Sequence, residues 1–238
     1  LSPGALGLLI FLLGFSAVIA FSVFGRAADR YGASMVTKRT TCIFIPLTLI
    51  FIALANSIWA LVAAIIFFGV IHGGDDVAMN AWAAEVERKD ERPLMSSFHA
   101  MWSLGAGIGA GTGVITSFYK VAMPMHFTIT SIVIFLAMLP IITIPFKSEK
   151  KQNTNKEPFI LFPKGELLPV ALIKFFASLG EGIVADWSAI FLRSVAELNN
   201  SSAALGFTVF SAPGRSDESS GCLLYTSPSP RDLSTSRM

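Results

Sequence analysis

Few charged or amide side chains stand inside the long apolar stretches of this chain, and those that do could bind polar solutes or protons. Asp76 and Asn80 lie four residues apart, so on a helix they share one face, which Glu87 continues. A carboxylate inside a membrane helix costs about 3 kcal/mol on insertion scales and is by default a functional candidate. Asp75 points about 100° away on a helix, so we do not expect it to do the same job. Hydrogen bonding between helices, with no binding role, is the alternative for Asp76.

A second polar face opens a later stretch. Ser96, His99 and Ser103 recur at helical spacing, and Trp102 stands beside them. Because histidine titrates near neutral pH, His99 is a candidate to carry or relay a proton. The alternative for His99 is an ordinary hydrogen bond near a membrane interface.

A third set of polar residues lies towards the end of the apolar region. Gly180 and Gly182 flank Glu181, and glycines there allow a helix to unwind, as membrane transporters do around their substrates. Asp186 and Trp187 follow, and an acid beside a tryptophan can bind a sugar through hydroxyl hydrogen bonds and ring stacking. Anchoring of the tryptophan at the membrane interface is the alternative.

Uncharged stretches long enough to cross a bilayer must position these residues. The chain is 53% hydrophobic and 14% charged, with a mean hydropathy of +0.63; soluble domains carry about 25% charged residues. A hydrocarbon core needs about 20 apolar residues in a helix. The sequence predicts an all-α membrane protein with about six full spans and a stub, at 5–24, 41–55, 59–84, 96–118, 127–146, 167–192 and 203–212. We expect the third span to be interrupted at 73–76.

Composition argues against other classes of protein. The near-neutral net charge of +2 leaves no basic stripe for nucleic acid. Cys42 falls in an apolar window and Cys222 in a polar tail, so neither a disulfide framework nor a metal site is expected. The three histidines are scattered over different spans, which argues against a membrane-embedded enzyme. We therefore predict no catalytic residues and no cofactor.

Two patterns describe how the spans are arranged. Lysine and arginine concentrate in the loops after the first, third and fifth spans, which places those loops in the cytoplasm. Gly105, Gly109 and Gly113 line one face of the fourth span, which predicts close contact with another helix.

A charged loop signature follows the first span. It reads Gly-x-x-x-Asp-Arg-x-Gly and consists of Gly25, Asp29, Arg30 and Gly32. Placed between two apolar helices, it resembles the loop signature of the Major Facilitator Superfamily, a large class of secondary transporters. In that family the loop latches two helical halves together. The family's two basic residues after the last glycine are here Ala33 and Ser34, so we expect a weaker or shifted latch.

Three further runs resemble one bacterial branch of this superfamily, related to fucose permease. They are Asp-Val-Ala-Met-Asn, Ser-Ser-Phe-His-x-x-Trp-Ser-Leu-Gly and Ala-Asp-Trp-Ser. The resemblance implies a monomer in a bacterial-type inner membrane that moves a small solute, sugar-like in one reading, by alternating access. A titrating acid, Glu181 or Asp76, would couple transport to protons. A non-transporting receptor or assembly subunit is the alternative.

The resemblance also suggests how the chain divides. Residues 1–146 would be an N-terminal transmembrane half without its first helix, 147–166 a cytoplasmic linker, and 167–212 the start of a C-terminal half. Residues 213–238 break every pattern and resemble a translated sequencing adapter. We therefore expect the chain to be a fragment with a non-native tail.

Overall fold

The computed structural model describes residues 2–150 and 163–211, and within them the chain is helical. The helices are α1 (Pro3–Tyr31), α2 (Ala33–Arg39), a π-helical turn (Thr40–Phe44), α3 (Ile45–Leu54), α4 (Ile58–Asp90), α5 (Met95–Phe118), α6 (Met123–Thr143), α7 (Leu167–Ser194) and α8 (Asn200–Ser211). The middle of the predicted linker, the predicted non-native tail and Cys222 lie outside the described residues.

Five helical stretches are long and apolar enough to cross a membrane. They are α1, the run from α2 through α3 (Ala33–Leu54), α4, α6 and α7. This confirms the predicted all-helical membrane bundle. α5 occupies the predicted fourth span but is not among these five, and it contains several glycines and polar residues. α8 corresponds to the predicted stub.

The helices run further than the sequence predicts. α1 continues to Tyr31, so most of the charged loop signature is helical, and the break comes only at Gly32. The interruption expected at 73–76 is wrong, since α4 is continuous. α7 likewise passes unbroken through Gly180 and Gly182. In lipid, a backbone group without a partner costs several kcal/mol, and an intact helix avoids that cost.

The π-helical turn has a cause in the sequence that lies a few residues downstream. Pro46 has no backbone N–H, so it cannot donate to the carbonyl of Cys42, and its ring crowds that carbonyl. The chain widens into a π-turn just before the proline, where the N–H of Ile45 donates to the carbonyl of Thr40. Such turns are rare and often occur at functional sites.

The chain forms two compact units, which are described separately. The first comprises residues 1–85 and 120–174, and the second begins with 86–119 and resumes at 175. In the first unit, α3 and its π-turn pack against α6. The hydroxyl of Ser131 donates to the carbonyl of Pro46 at 2.7 Å, and the thiol of Cys42 donates to the carbonyl of Met138 at 3.3 Å.

Glycines bring α1 and α4 together in the first unit. A Cβ added at Gly69 would lie 2.4 Å from the carbonyl oxygen of Leu13, and one at Gly73 would lie 2.7 Å from backbone atoms of Ala17. A cluster of small buried residues continues this contact towards α2, and it consists of Ala28, Ala33, Val36 and Ala78. The second unit pairs α5 with α8.

Candidate functional site

Asp76 and Asn80 lie on one face of α4 and interact directly. The side-chain amide of Asn80 donates to the carbonyl oxygen of Asp76 at 2.8 Å and to its carboxylate at 3.1 Å. Asp76 is exposed and Asn80 is half-buried. One carboxylate oxygen of Asp76 thus has an amide partner, and the exposed side chain could accept a donor from a solute. Their role in binding stays a prediction.

Asp75 turns the other way and contacts the π-turn. The hydroxyl of Thr41 donates to the two carboxylate oxygens of Asp75 at 2.9 and 3.1 Å, and the hydroxyl of Thr40 donates to one of the same oxygens. Asp75 is half-buried, whereas Asp76 is exposed. The two acids thus point to different sides of α4, and the sequence predicted no partner for Asp75.

The widened turn explains how two consecutive threonines reach one carboxylate. Neighbours on a regular α-helix point about 100° apart. Thr40 and Thr41 begin the π-turn, where each residue turns less around the axis, and both hydroxyls face α4. The available signal was the pair of threonines followed by Pro46, which together predict an irregular polar turn inside an apolar run.

The other predicted cavity residues belong to the second unit. His99 and Trp102 lie on α5, and both are exposed. On α7, Glu181 is half-buried, and the exposed side chains of Asp186 and Trp187 follow it. The hydroxyl of Ser188, one residue further on, is buried with no hydrogen-bond partner among the described residues.

Gly32, the last residue of the charged loop signature, has a backbone conformation that favours glycine. Gly32 has φ +98°, a conformation that side chains with a Cβ rarely adopt. Its N–H donates to the carbonyl of Ala28 at 2.8 Å, and its own carbonyl accepts from Met35 and Val36 at 3.2 Å. Gly32 therefore ends α1 and begins α2 with no intervening loop. Arg30 lies over the ring of Tyr31, 5.4 Å from its centroid.

Ser34, at one of the positions where the family carries basic residues, binds the segment that follows α6. Its backbone N–H donates to the hydroxyl of Ser148 at 2.9 Å, and its own hydroxyl donates to the carbonyl of Phe146 at 3.3 Å. Lys38 adds a hydrogen bond to the carbonyl of Ile144 and lies 5.7 Å from the ring centroid of Trp82. α2, which follows the loop signature, therefore holds the segment directly after α6 within the first unit.

Metal ligation has no candidate site in the described part of the chain. No group of three or more His, Cys, Asp or Glu side chains there lies close enough to hold an ion. Asp75 meets two hydroxyls, Asp76 meets an amide, and Glu87 accepts from the backbone N–H groups of Leu94 and Met95 at 2.7 Å.

The chain is similar to several bacterial membrane proteins. It is 37% identical over 211 residues to the uncharacterized transporter y4wD of Sinorhizobium fredii, covering 89% of this chain and 56% of that protein. It is 29% identical over 216 residues to an uncharacterized MFS-type transporter of Yersinia pestis, covering 88% and 54%. With the membrane protein MosC of Rhizobium meliloti, identity is 23% over 206 residues, covering 86% and 49%.

The chain spans about half the length of these curated relatives. No solved structure matches it significantly. The profile of one protein family, in contrast, matches residues 1–215, which include every residue that the structure describes. Together with the five candidate spans, this match makes the protein an integral, multi-pass membrane protein. The chain belongs to the Major Facilitator Superfamily.

Proposed function

We propose that the full-length protein is a secondary transporter that moves a small solute by alternating access and couples the movement to protons. Two of the three relatives are named as transporters, which indicates a transporter rather than an enzyme. The similarity to bacterial proteins supports a place in a bacterial inner membrane. The three sequence runs discussed above favour the branch related to fucose permease and a sugar-like solute.

The Asp76–Asn80 pair is the observation that carries this proposal. It places a carboxylate and an amide within hydrogen-bond distance on one face of an apolar helix. An ionisable residue inside a membrane helix is expensive and usually marks a substrate or ion pathway. The exposed carboxylate supports a role for this face as the wall of an aqueous cavity.

The second unit would supply the other polar groups. Glu181 is the second candidate for the coupling acid, because it lies deep in the apolar α7 and is half-buried. His99, Trp102, Asp186 and Trp187 are candidates in that unit to bind solute through hydrogen bonds and ring stacking. We further propose that residues 1–146 and 167–212 belong to two helical halves, which the linker at 147–166 joins.

Uptake into proteoliposomes tests the proposal. The full-length protein would be reconstituted with an internal pH-sensitive dye, and a panel of radiolabelled monosaccharides would be added under an inward proton gradient. The expected result is uphill accumulation of at least one sugar together with internal acidification, both abolished by a proton ionophore. Neutralising the coupling acid, by Asp76→Asn or Glu181→Gln, should abolish accumulation but spare exchange at equilibrium.

Glu166→Gln is the matched control, because Glu166 is an exposed acid ahead of α7. It should transport like the unaltered protein. Unchanged pH-driven accumulation in both Asp76→Asn and Glu181→Gln would refute proton coupling through these acids. An absence of ionophore-sensitive uptake for every solute in a broader panel would argue instead for a non-transporting membrane protein.

A further inference from the structure

The contacts around Asp75 contain more acceptors than hydrogens. The hydroxyl of Thr40 lies 3.0 Å from the carbonyl oxygen of Val36 and 2.9 Å from that of Thr37, and it also contacts the Asp75 carboxylate. A hydroxyl has a single hydrogen, so it can satisfy only one strong hydrogen bond at a time. The hydroxyl of Thr41 approaches both carboxylate oxygens at 2.9 and 3.1 Å and is similarly committed.

One additional proton resolves this imbalance. When Asp75 is charged, both threonine hydroxyls must donate to it, and the backbone carbonyls near Thr40 lose a donor. A proton taken from water onto the carboxylate forms an O–H group that donates to the Thr40 oxygen. The Thr40 hydrogen then turns to the carbonyl of Val36 or Thr37, as threonines within helices commonly do. The contact between Thr40 and Asp75 is therefore hydrogen-bonded in both protonation states, and what changes is the acceptor of the Thr40 hydrogen.

The surroundings of the carboxylate contain few other charges. On α4, His72 and Asp76 are the titratable groups that act on it electrostatically. On the opposing segment, Cys42 lies close enough to interact with Asp75 and also with Lys38. On α1, the uncharged residues Ala17 and Phe24 pack against Gly73 and Gly74, which directly precede Asp75.

We propose that Asp75, Thr40 and Thr41 form a proton-binding site in the first unit, separate from the cavity acid Asp76. Proton binding there would turn the Thr40 hydroxyl from the Asp75 carboxylate on α4 to a carbonyl of α2, and proton release would turn it back. This exchange would change the strength of the contact between the π-turn and α4. The step from proton binding to coupled transport rests on the function proposed above. The existence of the site does not.

Infrared difference spectroscopy on the purified full-length protein, titrated with pH in detergent and without solute, tests the site directly. The expected result is one component of the protonated-carboxyl band that appears on acidification, is lost in Asp75→Asn and persists in the matched control Asp76→Asn. In Thr40→Val, the band should move to higher wavenumber, because the carboxyl loses a hydrogen-bond partner without a change in side-chain shape. This shift distinguishes a protonated carboxyl that is hydrogen-bonded to Thr40 from one that titrates without that contact.

Three results would overturn the site. The first is an acid band that is unchanged in Asp75→Asn. The second, which decides the matter if Asp75→Asn does not fold, is a Thr40→Val band at the original wavenumber. The third is stabilisation by sodium chloride, relative to choline chloride, that Asp75→Asn abolishes, since this would assign the site to sodium. Because no solute is used, a protein that shows the band but fails in the uptake assay would contradict only the transport proposal.

Discussion

The molecule carries two glycine stripes at four-residue helical spacing, one on α4 and one on α5. On α4, a Cβ at Gly69 would lie 2.1 Å from the hydroxyl oxygen of Ser16, and one at Gly73 would lie 2.7 Å from the backbone of Ala17. On α5, a Cβ would meet no described atom within 4 Å at any of Gly105, Gly109 or Gly113. One stripe is a closed helix contact and the other is open.

The difference shows that spacing permits close approach but does not select a partner. The sequence drew attention to α5, where the glycines are most numerous, yet the contact expected there is not found in the described part of the chain. α4 has fewer glycines, but they face a small hydroxyl and an alanine on α1. Small residues on both helices are what allow backbones to come together in lipid.

The largest expected effect is therefore from Gly73→Ala, compared with Gly109→Ala. At position 73 the new methyl group meets backbone atoms of Ala17 that cannot move unless α1 and α4 separate. We expect a loss of about 3 kcal/mol in unfolding free energy, since overpacking outweighs the gain in helix propensity. Thermal and denaturant unfolding of the full-length protein in detergent would measure it.

Gly109→Ala is the control, because alanine favours helix by about 1 kcal/mol and meets nothing described around position 109. It should be neutral or stabilising. Equal losses of unfolding free energy in the two variants would show that both stripes are closed in the full-length protein. The difference between α4 and α5 would then be contradicted.

How much of this could be read from the sequence depends on whether the cause is local. The apolar runs were local, and they predicted the helices correctly because lipid forces backbone groups to pair within a segment. Glycine is also a local signal, and it predicted an interruption at 73–76 and allowed unwinding at 180–182. Both stretches are helical, since that lipid constraint outweighs the propensity cost of glycine. The contact of Ser34 with Ser148 spans 114 residues and left no local signal.

The contacts of the candidate site were likewise predictable only where they are local in the sequence. Asp76 and Asn80 could be paired from their spacing, because one helix holds both. Asp75 could not be joined to Thr40 and Thr41, since that required the distortion before Pro46 and the placement of the π-turn against α4. Pro46 was visible in the sequence, but its effect falls on residues up to six positions earlier.

An intermediate effect is expected where conformation, rather than a helix contact, requires glycine. In Gly32→Ala, the new methyl group would sit at φ +98° and 2.9 Å from the Cβ of Ser148. We expect a loss of about 2 kcal/mol from backbone strain alone. The segment after α6 should also loosen, which limited trypsin digestion would detect as faster cleavage at Lys147 and Lys150.

Gly25→Ala tests whether any glycine of the loop signature, and not only Gly32, is needed for stability and for slow trypsin cleavage. A Cβ at Gly25 would lie 3.7 Å from a methyl group of Val77, an ordinary contact, and the residue is inside α1. This variant should unfold and digest like the unaltered protein. Faster digestion in Gly25→Ala than in Gly32→Ala would mean that the motif acts through the packing of α1 on α4 and not through the turn.

The smallest effect is expected at Gly206 on α8. It compares a close contact with a flexible side chain to a close contact with rigid backbone. A Cβ there would lie 2.7 Å from a terminal methyl group of Leu192. A Cβ added at Gly73 would lie at the same distance from the backbone of Ala17. The opposing atom is the end of a flexible side chain, which can adopt another rotamer at a cost of about 1 kcal/mol. That cost nearly cancels the gain in helix propensity, so Gly206→Ala should change the unfolding free energy by less than about 1 kcal/mol. A loss as large as that of Gly73→Ala, measured in the same unfolding assay, would show that distance alone sets the penalty and that the rigidity of the opposing atom does not matter.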